Sequence, residues 1–395
     1  MRKTLTSTIF ILVYNIAVGQ IQKGFAYYNS ETYRLYTEAN WEELIPIAKE
    51  GIANDHDFYY LRMRLGISYF EQEKYTEAKK QFEKALGFDA GNPEAKSYSY
   101  YCLLYLGRKK EAIKYYNVLN EKSKFISSLY FEPGVKISDN KASVRNSKYF
   151  FLGLNHDLGK NASLFHGYQR LAADFSTTIT NNGGSGGQGP GGGSTTSEYI
   201  YTVIQNEYYA ALSFLVAKGF YITPAFHLQG VSTEGYSGTN NVLSVQLVKW
   251  LGKVKLYGGY YTSEINEQKQ QQIEGGLAFY PMGNTNIYLQ AQATSHMENS
   301  VNSMIWSAKG RLKLFPKTWL EASYAIGDML NYSEANGYLV YNQLDEIRSK
   351  WGLGINQYLG KHLLYLGYIH ESKEEFITQI PFAHHDLILG FNLIF

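Results

Sequence analysis

The chain has 395 residues, 18 % of them charged, and a formal net charge of +2. A near-neutral balance gives no basis for a nucleic-acid binder, and one cysteine excludes an internal disulfide framework or a cysteine-rich zinc module. Aromatic residues reach 16 %, with 36 tyrosines, while no apolar run is long enough for an ordinary transmembrane helix.

Residues 1–19 read as a secretory signal peptide. Arg2 and Lys3 form the charged start and Ile9–Tyr14 the apolar stretch, and Ala17 and Gly19 occupy the small-residue positions of a cleavage site. No cysteine follows, which argues against a lipid anchor. Beyond this segment the composition divides near residue 124. Residues 20–124 carry 31 charges and 6 glycines, whereas residues 125–395 carry 39 charges and 30 glycines over more than twice the length.

Residues 20–124 repeat with a period of 34. Ala78 and Ala112 stand one period apart, as do Phe82 and Tyr116, and Trp41 and Tyr75. The best copy runs Leu65, Gly66, Tyr69, Ala78, Phe82, Ala85, then Pro93. This pattern resembles the tetratricopeptide repeat, in which a small residue sits where two helices cross. About three copies are expected, with Leu44 at the Ala position of the first and Tyr100 at the Gly position of the third. The resemblance implies a surface that docks a protein partner. Tyr59, Tyr60, Tyr69 and Tyr75 are candidates to line it. Cys102, within an apolar helical run, reads as a buried inert thiol.

From residue 125 the hydrophobic period changes from 3.6 to 2. Trp306, Ala308, Gly310, Leu312 and Leu314 alternate with Ser307, Lys309, Arg311 and Lys313, and Leu387, Leu389, Phe391, Leu393 and Phe395 share one face. Runs of 10–14 residues with this alternation fit a membrane barrel better than a soluble sandwich. Tight turns at 159–161, 218–219, 252–253, 282–284, 316–317 and 360–361 alternate with longer polar loops at 178–196, 233–240, 265–270, 298–301, 329–344 and 374–383. Thirteen strands are clear, and 125–138 supplies the fourteenth, so the expected fold is a helical-repeat domain followed by an antiparallel transmembrane β-barrel of about 14 strands. Residues 181–194, with eight glycines, read as a disordered extracellular loop. Tyr149, Tyr199, Tyr201, Tyr257, Tyr260, Tyr280, Trp319 and Tyr358 are expected in aromatic girdles against outer-membrane lipid.

The order of signal peptide, periplasmic repeats and C-terminal barrel resembles a Gram-negative outer-membrane class. The barrel is similar in size to that of the YaiO-type outer-membrane family, and the layout resembles the polysaccharide-export porins, which thread a polymer from repeats into a pore. The terminal Phe395 resembles the signal read by the barrel-insertion machinery. The resemblance implies location in the cell outer membrane with residues 20–124 in the periplasm, and it transfers no site residues.

The chemistry expected is sparse. The nine histidines show no metal-ligand spacing, no phosphate loop or nucleophile elbow occurs, and no cofactor is expected. Ser295, His296 and Glu298 lie too close along one strand for all to share a face. Inward charges are expected at Glu207, Glu274 and Glu321, with a cationic strip of Lys309, Arg311, Lys313, Arg348 and Lys350. The leading functional reading is a non-enzymatic barrel whose repeats dock a periplasmic protein partner, in export or envelope assembly. The alternative is a pore for small solutes or polysaccharide with the repeats as its cap. A barrel-embedded lipid hydrolase is the third and weakest reading.

Overall fold

The computed structural model describes residues 23–115, 124–140, 144–181, 195–343, 345–376 and 378–395. The signal-peptide reading of 1–19, the repeat position Tyr116 and nearly all of the glycine-rich loop 181–194 lie outside them. Two compact units divide between Leu106 and Gly107.

The first unit contains α1 (Phe25–Thr37), α2 (Trp41–Ala53), α3 (Tyr59–Glu71), α4 (Tyr75–Phe88) and α5 (Pro93–Tyr105). Alternate helices start 34 residues apart, at Phe25, Tyr59 and Pro93 and again at Trp41 and Tyr75. Asn40 caps α2 and Asn92 caps α5, each side chain accepting from a backbone N–H in the first turn. Leu65, Tyr69, Ala78, Phe82 and Ala85 are buried in one continuous core with Leu35, Leu44 and Leu61. Gly66 is required by the α3–α4 crossing: a Cβ there would lie 2.6 Å from Cε1 of Phe82. Cys102 is fully buried in the same core, and burial pushes its thiol well above the usual range.

The second unit opens with Gly107, a short helix α6 (Lys109–Ala112) and one 3₁₀ turn, Ile113–Tyr115. Ala112 is buried. The division of units thus precedes the composition change at 124, because the charges at 108–111 are paired within the barrel unit. The barrel has fourteen antiparallel strands: β1 (Ile126–Ser138), β2 (Val144–Asp157), β3 (Ala162–Asn181), β4 (Thr195–Ala217), β5 (Phe220–Thr233), β6 (Tyr236–Leu251), β7 (Val254–Ile265), β8 (Gln268–Phe279), β9 (Ile287–Glu298), β10 (Val301–Phe315), β11 (Thr318–Met329), β14 (Glu346–Leu359), β15 (His362–Glu374) and β16 (Pro381–Ile394). Two further strands, β12 (Tyr332–Glu334) and β13 (Leu339–Tyr341), pair only with each other. Pairing of β1 with β16, Phe131 opposite Phe391, closes the cylinder. The N–H of Phe395 donates to Ser127 O at 3.1 Å across the same seam.

The period of 2 has its consequence in the exposure pattern. On β10, Met304, Trp306, Leu312 and Leu314 are exposed, while Ile305 is buried and Ser307, Lys309 and Arg311 are partly covered. Phe150, Leu152, Leu228, Leu247, Leu277, Leu353 and Leu366 continue an exposed apolar band around the other strands. Water does not tolerate so large a continuous apolar surface, and hydrocarbon does. The unit is therefore a membrane-spanning barrel.

Two expectations fail in detail. The connections at 234–235, 266–267 and 299–300 are tight turns, because the strands extend through the flanking polar residues. Of the expected girdle residues, Tyr149, Tyr257 and Trp319 stand at inward positions of their strands, opposite in parity to exposed Phe150, Leu256 and Tyr324, and Tyr280 is buried just beyond the end of β8. Tyr199 and Tyr260 are exposed.

Candidate functional site

A fourteen-strand cylinder encloses more volume than its own inward side chains fill, since about eight strands suffice for that. Here the excess is taken up by the chain between β11 and β14. Its turn carries three successive left-handed residues, Ala335 (φ 53°), Asn336 (φ 60°) and Gly337 (φ 79°), which bring β12 and β13 into register with Tyr332 opposite Tyr341. Asn and Gly favour that conformation, and it makes a compact reversal. The resulting hairpin lies inside the barrel, not above it as its polar composition suggests.

The hairpin is bonded to the wall on many sides. Asn336 O accepts from Ser244 Oγ at 2.8 Å and from Tyr209 Oη at 3.3 Å. Its N–H donates to Tyr261 Oη at 3.1 Å, and its Nδ2 donates to Thr223 O at 3.0 Å. Gln272 and Ser333 exchange two bonds, at 2.8 and 2.9 Å. Asn342 Nδ2 donates to Gln205 Oε1 at 2.7 Å, and Asn331 Nδ2 to Glu298 Oε2 at 3.0 Å. Lys350 Nζ holds Glu334 Oε2 and Tyr341 Oη, each at 2.6 Å. These partners lie on β4 through β9 and on β14. Apolar contacts add to them: Tyr338 packs its ring against Phe151, Phe165 and Tyr209, and Val340 packs against Val242, Tyr261 and Ile265. Thr223 is the fourth residue of β5, so the tip reaches close to the short-turn end of the lumen.

That end carries a second insertion. Lys110 Nζ donates to Asp157 Oδ1 at 2.8 Å and to Ala162 O at 2.6 Å. Glu111 accepts from the N–H of Gly219 at 3.0 Å and from Tyr221 Oη at 3.1 Å, and pairs with Arg108 at 2.5 Å. The Arg108 guanidinium lies over the Trp250 ring, 5.5 Å from its centre. Residues 108–111 are thereby fastened to the turns after β2 and β4 and to the end of β6. A cavity of about 370 Å³ adjoins them, with Lys109, Gln246 and Trp250 in its wall.

Lys309, Arg311, Lys313 and Lys350 of the cationic strip lie on the inner face, but much of their charge is met locally. Lys309 Nζ stands 2.7 Å from Glu321 Oε1, and Arg311 Nη2 stands 3.0 Å from Glu321 Oε2. Lys350 is paired with Glu334 of the hairpin. Lys313 lies over the Trp319 ring. Arg348 does not join the strip: the register of β14 shifts between Ile347 and Ser349, so Ile347 is buried inside and Arg348 stands half-exposed on the opposite side, among Asp328, Glu346 and Glu374. Glu207 and Glu274 are buried, each among glutamine amides. Ser295 bonds Asn302 on the outer face while His296 is buried inside, so the two are on opposite sides of the wall.

A group that the sequence did not single out gathers at the β1–β16–β15 seam. Lys136 Nζ is 3.2 Å from Glu371 and 3.1 Å from Asp386, with Lys373 and His384 beside Glu371. Alternation places each of these inward, and closure of the barrel, which joins residues about 250 positions apart in sequence, brings them together. Among the described residues no cluster has the make-up of a metal site.

No protein-family profile and no curated protein sequence matches the chain. Solved structures of similar outline are a mutant of the TodX monoaromatic hydrocarbon channel (10 % identity, 69 % of this chain and 91 % of that one, TM-score 0.47), the Pseudomonas putida toluene transporter TodX (11 %, 67 % and 88 %, 0.40) and the Acinetobacter baumannii outer membrane protein Omp33 (9 %, 69 % and 99 %, 0.35).

Proposed function

We propose that this chain is an outer-membrane barrel protein with a transport-like role, held closed at rest by its own hairpin, and that its helical unit is periplasmic and docks a protein partner. The observation that carries the reading is the hairpin bonded across the lumen from β4 to β9 and to β14. A permanently open pore has no use for it, and a barrel serving only as an anchor has no need of a fourteen-strand girth. The short-turn end faces the periplasm, as in outer-membrane barrels generally, and Phe395 serves the insertion machinery. The reading is non-enzymatic, with no cofactor.

Support for docking comes from α1 and α3. Tyr33 and Tyr60 are exposed, and the Arg64 guanidinium lies over both rings while Asn29 and Thr32 hold it. Aromatic and Arg side chains of this kind are common anchors of protein interfaces.

Planar-bilayer recording tests the reading. Wild type is expected to be silent, and a variant with 332–341 replaced by a short glycine linker is expected to conduct. Steady conductance by wild type overturns the closed state. Deleting 23–106 should abolish a co-purifying partner and leave the electrical behaviour unchanged; altered conductance would favour the repeats as a cap on a pore.

A further inference from the structure

His227 lies on the inner face of β5, 3 % exposed. Its Nδ1 is 2.7 Å from the carbonyl oxygen of Gly337 in the hairpin, and its Nε2 is 2.8 Å from Glu207 Oε2 on β4. Both ring nitrogens thus face oxygen acceptors. A neutral imidazole has only one N–H and can satisfy one of them. Glu207 meanwhile accepts from the amides of Gln169, Gln205 and Gln229, which completes its shell as a carboxylate. The neighbours that the described residues set against the pair are neutral: the Tyr209 ring lies 5.7 Å from the imidazole, Tyr209 Oη is given to Asn336 O, Gln229 is held by Asn240, and the Tyr338 ring packs against Tyr209.

We propose that His227 and Glu207 form a proton-dependent pin for the lumen hairpin. The docked state holds one proton more than a neutral imidazole beside a carboxylate, whether that proton resides on Nε2 or on Glu207. Without it, either the Gly337 bond is lost or Nε2 and the carboxylate face each other as two acceptors. When the hairpin leaves, Gly337 O is withdrawn and the pair opens to water, so the extra proton is no longer required. The docked state binds more protons than the released one; docking is therefore favoured at low pH and weakens as pH rises. One proton limits the effect to tenfold in the docked-to-released ratio per pH unit.

The inference rests on the hairpin reading above, but its test reads docking and not conduction. Ser333 is 1 % exposed and its hydroxyl has no partner, so Ser333→Cys is a near-isosteric reporter whose alkylation requires release of the hairpin. The native Cys102 is buried. Alkylation is followed in the full chain in liposomes across about pH 5 to 9, with Ser333→Cys/Glu207→Gln as reference. In that reference the amide introduced at position 207 donates to a neutral imidazole, so the pin persists without an extra proton, and thiolate formation cancels in the ratio. The ratio of the two rates should climb with pH, by up to tenfold per unit, and then level off. Ser333→Cys/His227→Gln should follow the reference profile. A ratio flat across the range overturns the pin. A rising ratio in a protein whose hairpin deletion fails to conduct would leave the pin standing and overturn the gate.

Discussion

Replacing Asn336 at the hairpin tip separates backbone conformation from side-chain bonding. Asn336 has φ of 60°, a left-handed conformation that costs an ordinary L-residue such as alanine about 1–2 kcal/mol and that Asn adopts readily. Its Nδ2 bond to Thr223 O contributes about 1 kcal/mol, at the low end because the buried Oδ1 has no partner and its loss relieves a desolvation cost. The backbone bonds to Ser244, Tyr209 and Tyr261 do not depend on the side chain. Asn336→Ala therefore loses the bond and takes on the strain, about 2–3 kcal/mol in all, which is roughly a 30- to 150-fold shift toward the released hairpin. Asn336→Gly loses the bond without the strain, about 1 kcal/mol or roughly fivefold. Hydrogen exchange at the Ser333 and Asn336 amides reads this opening directly. Protection should fall in the order wild type, Gly, Ala. Equal protection in all three, or a larger loss with Gly than with Ala, would refute the assignment of strain to this residue.

Gly66→Ala should destabilise the helical unit by about 1–2 kcal/mol, since overpacking against Phe82 exceeds the gain in helix propensity; a raised melting temperature of the helical dichroism would show that the crossing has slack. In the hairpin-deleted barrel, Glu321→Gln should free Lys309 and Arg311 and bias the reversal potential toward anions, while Lys309→Glu, Arg311→Glu and Lys313→Glu together should bias it toward cations. Selectivity unmoved by either change would place these residues off the conducting path. Removal of Phe395 should lower the amount of heat-modifiable, inserted barrel, because a bond to Ser127 at the closing seam and a terminal aromatic are lost together; unchanged insertion would assign the signal elsewhere.

The barrel is legible in the sequence because alternation is enforced residue by residue. A strand with hydrocarbon on one side and a polar lumen on the other has little freedom in composition, so Trp306–Leu314 and Leu387–Leu393 declare their outward faces at once. The hairpin is not legible as a plug. A solvent-exposed loop and a loop inside a polar lumen reward the same Asn, Ser, Glu and Tyr residues, and only the tertiary positions of Tyr261, Gln272 and Ser244 distinguish them. Its Ala335–Asn336–Gly337 turn is the available clue, since it specifies a tight reversal within a long polar stretch. Turns such as Asn266–Glu267 and Asn299–Ser300 read as long because their strands continue past the apolar band, where outward positions become polar. The seam cluster around Glu371 depends on closure between distant strands, which no local pattern reports.

Whether the hairpin occupies the lumen in the membrane is decided by a cross-link between its tip and the barrel wall. A Cβ built on Gly337 would lie 3.8 Å from Cβ of Ser244, the usual separation in a disulfide. Gly337 is left-handed (φ 79°), so a cysteine there costs about 1–2 kcal/mol of docking, which the trapped disulfide outweighs. The paired variant Gly337→Cys/Ser244→Cys, oxidised in intact outer membranes, is expected to form an intramolecular bond that maleimide cannot label until it is reduced, while Cys102 stays unlabelled throughout. Free labelling of the thiol introduced at position 337 from outside the cell, with no bond formed on oxidation, would place the hairpin outside the barrel and overturn its assignment as a plug.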